Sequence, residues 1–64
     1  MRIYRKGDMY TNGKFKFVID GIWWRGTKAI RVELKNKDTG KIFEYEADAF
    51  ELAVEEQKLK LIYR

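Results

Sequence analysis

The sequence predicts a mainly β fold, a β-rich α+β class: a small five-stranded antiparallel barrel with one short helix, about residues 48–56, before the last strand. Three observations carry this expectation. Apolar and polar residues alternate over Lys14–Ile22, Ala29–Leu34 and Ile42–Glu46, the period of a half-buried strand. Turn-forming residues separate these runs. Helical spacing occurs once, in Phe50, Ala53, Val54 and Gln57, at i, i+3, i+4 and i+7.

Taken in order, Arg2–Tyr4 reads as a short strand with Ile3 inward. Lys6-Gly7-Asp8 is a turn, because glycine tolerates positive φ and aspartate bonds its own backbone. Met9-Tyr10-Thr11 is a second short extended piece. Asn12-Gly13 is a strong hairpin signal, and it feeds a long strand from Lys14. Phe15, Phe17 and Ile19 share one face of that strand and Lys14 and Lys16 the other. Asp20-Gly21 marks a bend or bulge. Ile22-Trp23-Trp24 continues the strand, and Arg25-Gly26-Thr27 turns it.

The next run, Ala29–Leu34, sends Ile30, Val32 and Leu34 inward and Arg31 and Glu33 outward. Asn36–Lys41 is a polar turn ending in a left-handed residue. Ile42–Glu46 returns with Phe43 and Tyr45 inward. Glu44 and Glu46 then share the side of Arg31, where opposite charges across strands favour this register. Asp48, three residues before Glu51, suggests a variant capping box opening the helix. Lys58 stands near its end, where the dipole favours a cation. Lys58–Arg64 closes the chain as a strand, with Leu59, Leu61 and Tyr63 inward.

A chain of 64 residues makes one domain, 1–64. One this short buries only about 60% of its unfolded surface, so its stability is marginal. Cysteine is absent, which excludes disulfides and thiolate metal sites. Histidine and serine are absent too, which removes the usual general base and the serine nucleophile. The compensation is aromatic: four Phe, four Tyr and two Trp supply large burial per residue. The glycines stand singly, so no phosphate-cradling loop is present. The acidic run Glu44, Glu46, Asp48, Glu51, Glu55 and Glu56 lacks the spacing of a cation-binding loop and reads as a solvated face. No enzyme and no cofactor are expected. No apolar run approaches the roughly 20 residues that span a bilayer. Met1–Asp8 has no apolar leader segment. The expectation is a cytoplasmic protein without membrane contact.

The net charge of +4 is unevenly spread. Residues 1–31 carry eight Lys/Arg against two acids, a balance of +6, and residues 32–64 a balance of −2. Such asymmetry points to an anionic partner for the basic half, or to solubility alone. The two tryptophans are adjacent, and adjacent side chains on a strand point to opposite faces. One can therefore enter a core while the other cannot follow. Uninterrupted alternation puts Trp23 inward and Trp24 outward; a bulge at Gly21 reverses this. Trp24 is the expected exposed ring.

The order strand, strand, strand, strand, short helix, strand resembles the SH3-like small barrels, in which a short helical turn precedes the final strand. The acidic loop with which signalling SH3 domains grasp proline is missing. The archaeal seven-kilodalton chromatin proteins are similar in being small, lysine-rich and cysteine-free, but their helix is C-terminal. The Lys6-Gly7-Asp8 start and the late phenylalanine-led helix also resemble short phage and mobile-element proteins.

The expected function is a small binding module. Its candidate surface is Trp23, Trp24, Arg25, Lys28, Lys14, Lys16 and Arg31, with a second basic-aromatic cluster at Tyr4, Arg5 and Lys6. Cations track phosphates while an indole stacks a base, so DNA or RNA is the first expected partner. No long basic recognition helix exists, so binding is expected to be non-specific. Three alternatives stand beside it. One is a structural role for both indoles, with the basic face neutralised by Glu33, Glu44 and Glu46. Another is a host-protein partner held by the Trp loop or by an exposed strand edge such as Met9–Thr11. The third is a homo-oligomer built through Trp24 and edge strands.

Overall fold

The structure, a computed structural model, describes residues 5–63 and consists of one sheet and one helix. Five antiparallel strands form the sheet: β1 (Met9–Thr11), β2 (Lys16–Arg25), β3 (Lys28–Asn36), β4 (Ile42–Glu46) and β5 (Lys60–Tyr63). The helix α1 (Ala47–Glu55) lies between β4 and β5 in sequence. The strand order is β4-β3-β2-β1-β5. The expected Arg2–Tyr4 strand lies outside the described residues, among which Met9–Thr11 is the first strand.

The chain folds this way because its loops are built for tight reversal. After β1, the Asn12 side chain accepts hydrogen bonds from the backbone N–H of Lys14 and Phe15 at 2.9 and 2.8 Å. The Thr11 hydroxyl donates to the Phe15 carbonyl at 2.8 Å. The loop therefore takes four residues, and β2 starts at Lys16 rather than at Lys14. After β3, Asn36 repeats the device. Its Oδ1 accepts from Asp38 and Thr39 N–H at 2.8 and 3.2 Å, and Gly40 takes the left-handed conformation at φ 76°. The β2–β3 turn is shorter. Arg25 pairs with Lys28, leaving Gly26-Thr27 as the loop. Gly26, at φ 62°, supplies the positive φ that a type II′ turn needs at its first central position.

One face of the sheet carries the core. Tyr10, Phe17, Ile19, Val32 and Leu34 are buried on it, with Phe50 from α1 and Leu59 completing the cluster. Ile22, Ala29 and Phe43 pack around them half-buried. The Tyr10 and Phe50 rings meet edge-on, centroids 5.1 Å apart at 80°. This geometry adds about 0.5–1.5 kcal/mol to the area buried. Phe43 reaches Phe17 in the same way, at 6.0 Å.

The helix starts two residues earlier than the capping-box reading allows. Glu46 is the N-cap and makes no side-chain cap bond, and Asp48 lies in the first turn. A carboxylate there still favours the helix through the dipole. Ala47 is buried, and an early start is what lets it pack. The far end is closed by the backbone. Lys58 N–H bonds to the Ala53 carbonyl and Gln57 N–H to that of Val54, at 2.9 and 3.1 Å. Gln57 stands at φ 62°. This is a Schellman cap with glutamine in the left-handed position. Gln57 is thus outside the helix, and Lys58 pairs with Glu56 at 3.2 Å instead of serving the last turn.

The last strand also differs from simple alternation. Leu59 is buried but precedes β5, and Leu61 stays exposed although it faces Tyr10. The ladder slips between Met9 and Tyr10, leaving Ile62 without a partner there.

Candidate functional site

The β2–β3 hairpin outruns the rest of the sheet. Among the described residues, β1 pairs with β2 only over Lys16–Val18, and β4 pairs with β3 only over Arg31–Lys35. The hairpin end from Trp24 to Ile30 therefore projects past both neighbours, while Trp23, paired with Arg31, stands level with the last β4 pair and projects past β1 alone.

Two bulges decide which way each ring points. Ile19 pairs with Leu34 and Gly21 with Glu33, so Asp20 is the extra residue on β2. Trp23 pairs with Arg31 and Trp24 with Ala29, so Ile30 is the extra residue on β3. Each extra residue flips the alternation beyond it. On β2, Ile22 and Trp24 join the core face while Gly21 and Trp23 go to the outer face. On β3, Ala29 takes the inward place expected of Ile30, which is pushed out to 46% exposure.

Neither indole is buried, contrary to the expectation that one enters the core. Trp23 is 42% and Trp24 52% exposed. For Trp24 the cause is position: its cross-strand neighbour on the core-facing side is Ala29, which stands at the rim of the buried cluster. Trp23 gains partial cover another way. Its ring lies over Gly21, where a Cβ would sit 3.4 Å from Cη2 and 3.5 Å from Cζ3. Trp24 stands directly across from Ala29, whose small side chain leaves the ring uncovered.

The basic residues are divided by the fold. Arg25 and Lys28 face one another across the tip turn, both exposed. Lys14 lies in the opposite loop, its ammonium 5.2 Å from the Phe15 ring centroid. Lys16 begins β2, nine residues from Arg25, which at roughly 3.3 Å per residue is about 30 Å away. Arg31 lies on the outer face opposite Trp23 and Glu46, and its guanidinium reaches Glu44 at 4.0 Å. Glu33 stands directly across from Glu44 on the same face. The outer face is thus a mixed, solvated surface around Arg31, while the tip keeps two cations without an acidic partner among the described residues.

The N-terminal cluster lies apart from the tip. Arg5 and Lys6 are exposed in a turn that Asp8 ties down, its Oδ2 accepting from Arg5 N–H at 3.2 Å. Gly7 N–H bonds to the Ile19 carbonyl at 2.8 Å, which sets this turn beside the middle of β2. Tyr4 lies outside the described residues.

Alternation alone misses one feature of this region. A groove of about 250 Å³ runs between Lys28–Arg31 at the start of β3 and Glu46–Asp48 at the start of α1. Its sequence signal is the strand-to-helix junction Glu46-Ala47-Asp48, which brings two carboxylates beside the tip. Among the described residues, no three His, Cys, Asp or Glu side chains are grouped to hold a metal ion. No helix among them is long and apolar enough to cross a membrane. Compared with known proteins, the chain matches no family model, no curated protein and no solved structure.

Proposed function

We propose that this chain is a small, non-enzymatic binding module of the cytoplasm that engages nucleic acid without sequence specificity through the tip of the β2–β3 hairpin. The observation that carries this reading is the coincidence of two exposed indoles with two cations unpaired among the described residues, Arg25 and Lys28, at a hairpin end that projects past the sheet from Trp24 onward. Base–aromatic stacking contributes about 1–3 kcal/mol per base and tolerates any sequence. Two cations add a salt-dependent hold on the phosphates. The earlier set shrinks accordingly: Trp23, Trp24, Arg25 and Lys28 act together, while Lys14, Lys16, Arg5 and Lys6 add only long-range attraction. The likeness to SH3-like barrels draws support from the strand order and from the helix that precedes the last strand.

The test is a tryptophan-fluorescence titration with mixed-sequence DNA and RNA at low and moderate salt. Quenching that weakens with salt and disappears in Trp24→Ala supports the reading. No binding at low salt overturns it.

A second reading rests on Ile30. Exposed on β3 two residues from Lys28, it makes the tip apolar as well as basic, which suits a protein anchor of the kind a phage-type modulator would set on a host protein. Binding to a protein target that is insensitive to salt and lost in Ile30→Asp favours this second reading.

A further inference from the structure

Resting on the nucleic-acid reading of the tip, we infer that the β2–β3 hairpin holds two nucleic-acid segments at once, one on each face, and so favours a fork, where two unpaired strands leave a duplex. The first feature that carries this is where the rings stand. Trp23 pairs with Arg31, whose guanidinium reaches Glu44 on the outer face, and its indole lies over Gly21 on that face. Trp24, the next residue, pairs with Ala29, which packs against the core cluster, so Trp24 stands on the core-facing side. Both rings are exposed. The hairpin therefore offers one stacking surface on each side.

A sheet occupies about 10 Å of thickness, whereas successive nucleotides of a stacked strand are about 3.4 Å apart. Neighbouring bases of one strand thus cannot straddle the hairpin. A strand engages one ring and leaves the other for a second segment. Stacking needs a base with a free face, and inside a duplex the neighbouring pairs cover both faces, so both segments are unpaired. The second feature is the charge at the turn. Arg25 and Lys28 are direct cross-strand partners, and neither has an acidic partner among the described residues. Like charges placed opposite one another destabilise a strand pair, and an anion beside both removes the repulsion. At a fork the phosphates of two strands converge where the arms separate. With one arm on each face of the hairpin, that point meets Arg25 and Lys28.

The test compares a mixed-sequence DNA fork, its two tails too short to double back round the tip, with the same duplex carrying either tail alone. Binding is read from the anisotropy of labelled DNA at low salt. The fork should bind about tenfold tighter than either single-tailed duplex, the worth of a second stacked base and more than a second tail gives by number alone. Trp23→Leu still covers Gly21 but offers no ring to stack. With folding checked by circular dichroism, it should bring the fork down to the single-tailed level and leave the single-tailed duplexes, held by Trp24, near the parent affinity. Equal binding of fork and single-tailed duplexes by the parent overturns the two-sided hairpin and leaves the tip as a binder of one strand. A fork advantage that survives in Trp23→Leu overturns Trp23 as the second surface. If neither probe binds at low salt, the nucleic-acid reading falls, and this inference with it.

Discussion

The Trp23 indole lies on Gly21, two residues before it on the outer face of β2, with ring carbons 3.4 and 3.5 Å from where a Gly21 side chain would begin. Glycine inside a strand weakens it, and an aromatic ring folded over the bare backbone restores part of the loss. Gly21 does not need positive φ. Gly21→Ala should therefore stay within about 1 kcal/mol of the parent, since the new methyl meets the ring at ordinary contact distance. Gly21→Val should push the indole off the strand, seen as a red-shifted Trp emission and a lower melting temperature. Unchanged emission in Gly21→Val would remove the ring from this position.

That contact separates the roles of the two tryptophans. Trp23→Ala uncovers the bulged strand and should cost about 1–2 kcal/mol in a thermal melt, less than the 3–5 of a fully buried aromatic. Trp24→Ala uncovers nothing that is buried and should leave the melting temperature within a few degrees of the parent. The effects on binding should run the other way, with Trp24→Ala the more damaging.

Gln57 closes α1 in a conformation that costs a side-chain-bearing residue roughly 1–2 kcal/mol. Gln57→Gly relieves this strain but loosens the unfolded chain, so the expected net gain is about 0.5–1 kcal/mol. In a domain of this size that raises the melting temperature by about 2–8 °C. A fall in melting temperature would contradict the left-handed cap.

The two asparagine loops are alike in bonding and unlike in burial. Asn36 is 5% exposed, and removing its Oδ1 orphans two backbone N–H groups in partly buried surroundings. Asn36→Ala should cost about 1–3 kcal/mol. Asn12→Ala, in an exposed loop, should cost less because water replaces the lost acceptor. Denaturant melts of the two variants give the order directly.

Phe50 is the helix's anchor, fully buried against Tyr10. Phe50→Ala should cost about 3–5 kcal/mol, close to the whole stability of so small a domain. The variant should show no cooperative unfolding transition, whereas Leu52→Ala, on the exposed side of the same helix, should melt like the parent.

Much of this fold is legible in the sequence because most of its elements obey one period. Phe17, Ile19, Val32, Leu34 and Phe43 fall where alternation puts them, and Phe50 falls where helical spacing puts it. Ile30 and Trp23 do not, and Trp24 is exposed as expected but from the opposite face; a shared cause explains all three. An extra residue in a strand reverses every later side chain, and only one of the two here is marked in the sequence. The Asp20-Gly21 pair signals the first bulge; the second has no local mark, since Ala29-Ile30-Arg31 alternates cleanly. The candidate surface was legible as a set of residue types but not as a place. Lys14 and Lys16 belong with Arg25 in the sequence half they share, and the length of β2 parts them. The groove was not legible, because it forms where β3 meets the start of α1, elements separated by the whole of β4.

Binding of nucleic acid at the hairpin tip is tested most directly by its salt dependence. Single-stranded nucleic acid gives a slope of about −0.7 in log K against log salt for each phosphate neutralised. Two cations, Arg25 and Lys28, predict a slope of about −1.4, halved on removing either one. A slope near −3.5, as all five of Lys14, Lys16, Arg25, Lys28 and Arg31 would give, and unmoved by Arg25→Ala or Lys28→Ala, would contradict it.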